Sequence, residues 1–131
     1  MKAMRFTLIP VVALACVCLN GQGGSDPVKR TVLQRSDVSV PGREGVSVLV
    51  EFAAGASTGR HTHAGEEVDY ILSGEGELVI DGQPAKAFKT GEASIIPGGV
   101  VHDTRNTGTQ PLKVVAVFVV EKGKPLTTPV K

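Results

Sequence analysis

Two hydrophobic patterns divide the chain. Near the N-terminus, residues 6–19 form an almost unbroken apolar run that follows the positively charged Lys2 and Arg5. From Thr31 onward, short segments that alternate apolar and polar residues are separated by glycine and proline. Alternation with a period of two is typical of β-strands with one buried face, and the segments lack the 3.6-residue period of amphipathic helices. The pattern predicts a leader followed by an all-β domain.

The alternating segments place the strands and the turns between them. We expect Asp81-Gly82 to close a hairpin, because glycine accepts the positive φ of a tight turn. The longest apolar run of the body, Leu112 to Val120, should be a central, well-covered strand. Residues 123–131, with two prolines and two lysines, should be a loosely held tail. The predicted strands are residues 46–52, 68–72, 77–80, 93–96, 101–106 and 112–120.

The leader has the layout of a bacterial secretory signal. Its charged start and apolar run are followed by small polar residues, and the run is too short for a membrane-spanning helix. Residues 1–24 are therefore predicted to be a signal peptide, which makes the mature protein periplasmic or extracellular. Cys16 and Cys18 keep a lipoprotein signal open as an alternative, in which a lipid anchors the protein to a membrane without spanning it.

Composition adds limits to this picture. The chain has 131 residues, which fits one domain. Both cysteines lie in the leader, so the folded body can use neither disulfides nor thiolate ligands. Without the two basic leader residues the body carries 12 Lys and Arg against 13 Asp and Glu, and no basic cluster that would favour nucleic acid as a partner. We divide the body into three parts. Residues 25–45 form a linker and an N-terminal strand, residues 46–120 form the barrel, and residues 121–131 form the tail.

The histidines suggest a metal site. His61 and His63 are alternate residues, so on a strand their imidazoles point to one face. Glu67 follows four residues later, and His102 is the third and last histidine of the chain. Three imidazoles and one carboxylate suit Mn, Fe, Ni, Cu or Zn, whereas calcium sites use oxygen ligands alone. Glu66 is the competing carboxylate and would point to the opposite face.

The spacing around these residues resembles a known family. Residues 55–74 resemble the first motif of the cupin superfamily, G-(x)5-H-x-H-(x)3–4-E-(x)6-G, and residues 91–106 resemble the second, G-(x)5-P-x-G-(x)2-H-(x)3-N. The resemblance to small single-domain bacterial cupins implies a jelly-roll β-barrel. It also implies one divalent transition metal, held by His61, His63, Glu67 and His102, and structural roles for Gly74, Gly91, Pro97, Gly99 and Asn106.

The expected function follows from that metal. Four protein ligands leave two positions of an octahedral metal for a small-molecule substrate or dioxygen, which favours a metal-dependent dioxygenase. A metal-dependent lyase or isomerase and a non-catalytic ligand-binding module remain alternatives. Glu67 and Asp69 are the candidate catalytic residues. Asp69 shares the face of Glu67 if the strand is regular and would then orient a ligand or accept a proton; a bulge would instead turn it to solvent.

Two further expectations concern neighbouring side chains and assembly. Thr104 and Asn106 should share the inward face of His102, while Asp103 and Arg105 should lie outside. The residues expected to line the pocket are small or aliphatic, with few cationic groups. This favours a weakly charged substrate over a phosphorylated sugar. Segment 31–40 forms a sheet edge that needs covering, and small cupins commonly pair through such strands, so the resemblance implies a homodimer.

Overall fold

The computed structural model describes residues 26–131. The predicted signal peptide, residues 1–24, with both cysteines, lies outside the described residues, so its removal and any lipid anchor stay predictions. Within the described part, no helix is long and apolar enough to cross a membrane.

Between residues 26 and 131 the chain is built from β-strands, without helices. Two antiparallel sheets of five strands each form the barrel: the first has the order β1-β2-β9-β4-β7, and the second β10-β3-β8-β5-β6. This is the all-β jelly roll that the resemblance implies. The strands are β1 Val28–Asp37, β2 Arg43–Phe52, β3 His61–Thr62, β4 Gly65–Ser73, β5 Glu75–Ile80, β6 Lys86–Lys89, β7 Ala93–Ile96, β8 His102–Arg105, β9 Leu112–Glu121 and β10 Thr128–Pro129.

Strand β9 is the centre of the first sheet, as its apolar run predicts. It pairs with β2 on one side and β4 on the other, with Val114 opposite both Val50 and Ile71. Its outer face is less covered than expected, since Val117 is 37% exposed. The inner faces of β1, β2, β4 and β9 supply the core: Val28, Val46, Val48, Val50, Phe52, Ile71, Leu112, Val114, Ala116, Phe118 and Val120.

Glycines allow two of the connections that hold the sheets together. Gly82 has φ +76 in the turn between β5 and β6, as the Asp81-Gly82 signal predicts. Gly74, between β4 and β5, has φ +97, and a Cβ there would lie 2.9 Å from the Cα of Leu112 and from the carbonyl oxygen of Pro111. Any larger residue at position 74 would therefore push β4 away from the start of β9.

The C-terminal segment differs from its prediction. Instead of a loose tail, it forms β10, in which Thr128 pairs with Thr62 and Pro129 with His61 at the edge of the second sheet. The strand is too short to show alternation, and its proline suggests a chain terminus without pairing. Strands β3 and β6 were likewise too short to predict from periodicity.

The core should respond differently to one substitution on each side of the first sheet. Leu112→Ala removes a fully buried side chain and should lower the free energy of unfolding by about 2–5 kcal/mol, because a cavity remains. The matched control is Leu72→Ala on the outer face, where the side chain is 48% exposed and the cost should stay within about 0.5 kcal/mol. Urea unfolding measures both. Equal effects of the two substitutions would show that the core has been assigned to the wrong face.

Candidate metal centre

Three neighbouring strands bring the four predicted ligands together. His61 lies on β3 directly opposite His102 on β8, and Glu67 lies on β4 in the facing sheet. His63 follows β3 with its side chain on the same side as His61. All four side chains are buried, with exposures between 1% and 7%. One ligand atom from each residue falls within 4.8 Å of the others, so the predicted cluster could hold a single metal ion.

Backbone carbonyls fix the orientation of each imidazole. The Nδ1 atom of His61 lies 2.8 Å from the oxygen of Gly59, and that of His102 lies 2.9 Å from the oxygen of Val100. The Nδ1 atom of His63 lies 2.6 Å from the oxygen of Leu126. A carbonyl oxygen only accepts hydrogen bonds, so each Nδ1 carries a proton. Each Nε2 can then offer a lone pair to a metal or, when the ring is protonated, donate a hydrogen bond to Glu67. Partners of this kind orient metal-binding histidines.

The free ring nitrogens and the carboxylate converge on one point. The Nε2 atoms of His61 and His63 are 3.1 Å apart, and Glu67 Oε2 lies 3.0 Å from His63 Nε2 and 2.9 Å from His102 Nε2. Two imidazole lone pairs that face each other at this distance repel unless a proton or a cation lies between them. Because the donor set is three imidazole nitrogens and one carboxylate oxygen, it fits a divalent transition metal.

Glu67 is ionised at this point. Burial raises the pKa of its carboxyl, but the hydrogen bonds with His102 and His63 outweigh burial and lower the pKa to about 2. The bond with Glu67 likewise raises the pKa of His102 against its own burial. Glu66 is exposed on the outer face, where it pairs with Val119. Glu67 is thus the carboxylate that reaches the cluster.

Asp69 points inward beside Glu67, as a regular strand requires. Its side chain is 5% exposed, and among the described residues its Oδ1 atom has no hydrogen-bond partner. Burial, followed by the charge of Glu67, raises the pKa of this carboxyl to about 9. The two carboxyl groups on this strand face therefore differ in protonation state, because Glu67 accepts hydrogen bonds from two imidazoles whereas Asp69 lies against the charged Glu67.

Asp103 lies on the outer side of β8 with Arg105, as expected, but it is not exposed to solvent. It is 4% exposed and accepts hydrogen bonds from Ser57 Oγ at 2.7 Å and from Arg105 Nε at 2.7 Å. The loop between β2 and β3 covers the outer side of β8 at this point, with Ser57 bridged to Arg105. This cover cannot be read from the alternation along β8 alone. Arg105 itself is exposed, as expected.

Asn106 ties the end of β8 to its neighbours. Its Nδ2 atom lies within hydrogen-bond distance of the carbonyl oxygens of Phe52, Ala53 and Gln110, and its Oδ1 atom accepts from the backbone of Gly108. These contacts fit the structural role that the resemblance implies for this residue. Thr104, one alternate position before it, is also buried and faces the cavity.

A cavity of about 40 Å³ adjoins the cluster inside the barrel. Its polar wall includes His61, His63, Glu67 and Asp69, and its apolar wall comes from the inner faces of β2 and β9. Arg30, Leu126 and Thr127 also line it, and the sequence analysis missed all three. The volume limits any bound substrate to a small molecule or to one small group of a larger one.

Comparison with known proteins agrees with this geometry. Residues 48–118, more than half of the chain, match the Cupin domain family. The chain belongs to the cupins. It is 33% identical over 91 residues to "Dimethylsulfoniopropionate lyase DddQ" of Ruegeria pomeroyi, a match that covers 70% of this chain but 38% of that protein. This cupin therefore spans less than half the length of that curated relative.

Solved structures share the cupin fold. The crystal structure of DddQ from Ruegeria pomeroyi superposes with a TM-score of 0.57 at 26% identity, over 66% of this chain and 43% of that one. A cupin superfamily protein of Desulfitobacterium hafniense gives 0.61 at 21% identity, over 72% and 78%. Oxalate decarboxylase of Bacillus subtilis, in a study of its Mn(II) centres, gives 0.57 at 22% identity, over 66% and 24%. The last two likenesses concern the fold alone.

The cluster should hold about one metal ion per chain. Glu67→Gln removes the anionic ligand, and His102→Ala removes one imidazole, so each should lower bound metal at least tenfold. Glu66→Gln is the matched control, because this neighbouring carboxylate is exposed on the outer face. Emission spectroscopy of protein dialysed after loading with Mn(II) or Zn(II) measures the stoichiometry. Equal metal content in Glu66→Gln and Glu67→Gln would contradict the site.

Proposed function

We propose that this cupin is a metal-dependent enzyme of lyase type that acts on a small organic substrate. The observation that carries the proposal is Asp69, a buried carboxyl that lines the same cavity as the metal ligands and whose Oδ1 has no hydrogen-bond partner among the described residues. An acid–base group beside a metal site is what a reaction that removes or adds a proton during bond cleavage requires.

The chain's own residues have separate roles in this proposal. The cluster of His61, His63, Glu67 and His102 would hold Mn, Fe, Ni, Cu or Zn, and such a metal supplies Lewis-acid polarisation of a substrate oxygen. Asp69 holds or transfers a proton at Oδ1, because a carboxyl with a raised pKa is a strong base once ionised. The apolar wall from β2 and β9 excludes water and confines the substrate next to that oxygen.

One relative supports bond cleavage as the reaction class. DddQ is named for the lyase reaction of dimethylsulfoniopropionate, a zwitterion with a sulfonium and a carboxylate group. Oxalate, after which the Bacillus subtilis protein is named, is a second small carboxylate for the test, although that likeness concerns the fold alone. The reactions belong to those proteins; here they indicate which chemistry to test first.

A dioxygenase is the second candidate. Glu67 contributes a negative charge to the ligand set, because its pKa is lowered to about 2. An anionic ligand stabilises the higher oxidation state of a metal and so favours oxygen chemistry. A proton acceptor such as Asp69 could serve either reaction, and the lyase takes precedence because a relative at 33% identity is named a lyase.

Asp69→Asn should separate catalysis from metal binding. It keeps the size of the side chain and removes the acid–base group, so turnover should fall by about 10²–10⁴-fold while metal content and melting temperature stay close to wild type. The substrates are dimethylsulfoniopropionate and oxalate, with oxygen uptake followed on diketones, catechols, flavonols and small thiols. Tyr70→Phe, the exposed neighbour on the outer face, is the control.

Three outcomes would redirect this proposal. Wild-type turnover in Asp69→Asn would remove the carboxyl from the chemistry. Oxygen uptake with one of the oxidisable substrates would favour the dioxygenase. A metal-loaded protein that binds members of the panel but converts none would be the non-catalytic binding module.

Export and dimerisation belong to the same proposal. Export is supported by the pattern of the leader, and a homodimer by the edge position of β1, where Val32 and Leu33 are each 54% exposed. An edge strand with exposed apolar residues favours pairing with a second copy. Light scattering at micromolar concentration should report the dimer mass, and Leu33→Glu should shift it to the monomer. A monomer mass for wild type would contradict the dimer.

A further inference from the structure

Arg30 lies where the substrate would enter. It is on β1, on the same inner face as Val28 and directly opposite Val50 of β2. It is the sole cation among the residues that line the cavity, and the sole exposed one, since all the others are buried or half-buried. The guanidinium of Arg30 therefore lies at the mouth of the cavity, with the metal ligands and Asp69 deeper inside.

This arginine has free hydrogen-bonding capacity. Within the described residues its guanidinium makes one hydrogen bond, in which Nη1 donates to the carbonyl oxygen of Val28 on the same strand at 3.2 Å. Within residues 26–131 no carboxylate comes within 4.0 Å of it, although Arg35, Arg60 and Arg105 each pair with an acid. A guanidinium has five N–H donors in a planar fork, a geometry that matches a carboxylate.

The charges along the cavity also favour an anion. Arg30 contributes one positive charge and Glu67 one negative charge, so a divalent metal in the cluster makes the wall positive. An ionised Asp69 would reduce this positive charge without reversing it. A substrate without an anionic group would leave this positive charge uncompensated at the mouth, in a partly desolvated space.

We propose that the substrate is a small carboxylate, bound through its carboxylate group to Arg30 at the mouth of the cavity. The proposal deepens the enzymatic function above and rests on it. The remainder of the molecule then extends toward Asp69 Oδ1 and the metal ligands, where the reacting carbon lies. The volume of about 40 Å³ admits a few heavy atoms beyond the mouth, which excludes sugar-sized anions from the interior. The sequence analysis expects few cationic groups in the lining, and Arg30 is the one Lys or Arg residue that lines the cavity.

Calorimetry on the Mn(II)-loaded full chain tests this assignment with propionate and its neutral analogue propionamide. Wild type should bind propionate at least tenfold more tightly than propionamide. Arg30→Gln should lose at least tenfold in propionate affinity with propionamide unchanged, and Arg30→Lys should recover part of the loss, because it keeps the charge without the fork. Lys29→Gln is the matched control, since Lys29 is exposed on the other face and lies near Glu51. Emission spectroscopy should show equal metal in all variants.

Several results would overturn the carboxylate assignment. These are equal affinity of wild type and Arg30→Gln for propionate, no preference of wild type for propionate over propionamide, or tighter binding of methyl phosphate than of propionate. The outcome is independent of turnover. Arg30-dependent binding without conversion of any substrate would leave the carboxylate site standing and defeat the enzyme, whereas Asp69-dependent conversion without a role for Arg30 would do the reverse.

Discussion

The structure depends on one electrostatic constraint, the convergence of three imidazole lone pairs and one carboxylate on a single buried point. Two ring nitrogens, or a ring nitrogen and a carboxylate oxygen, do not approach to about 3 Å unless a proton or a cation lies between them. The fold holds them there by hydrogen bonds from the far side of each ring to a backbone carbonyl. One of these carbonyls belongs to Leu126, so the C-terminal segment takes part in the site. Its pairing with β3 is thus linked to metal binding as well as to sheet closure.

Much of this could be predicted from sequence, because the decisive spacings are local. His61 and His63 are alternate residues, and Glu67 and Asp69 share one face of a single strand, so their directions follow from the pleat. The contact with His102 requires the fold, in which β8 pairs with β3. That step came from the resemblance of two motifs and not from periodicity.

The residues that the sequence did not reveal are those whose position depends on distant parts of the chain. Arg30 lies thirty-one residues before His61, on a strand whose face is set by pairing with β2. Asp103 is buried by a loop that precedes β3, so the alternation along its own strand gives its direction but not its burial. Leu126 reaches the site from a segment too short to show a period. Each contact arises from the order of strands in the two sheets, which alternation within one strand does not encode.

Asp69 shows most clearly how the fold and the function conflict. At the same level of the first sheet its neighbours are Ala116 of β9 and Val48 of β2, both apolar and buried, and on its other side the half-buried Ser94 of β7. An apolar residue at position 69 would extend the apolar part of that row and avoid the cost of a buried carboxyl oxygen, Oδ1, that has no hydrogen-bond partner among the described residues. Glu67 incurs no such cost, because two imidazoles compensate it. Where local packing rules are broken with no structural compensation, the compensation is expected from a ligand. In this barrel that ligand would occupy the space between Asp69, the metal site and Arg30.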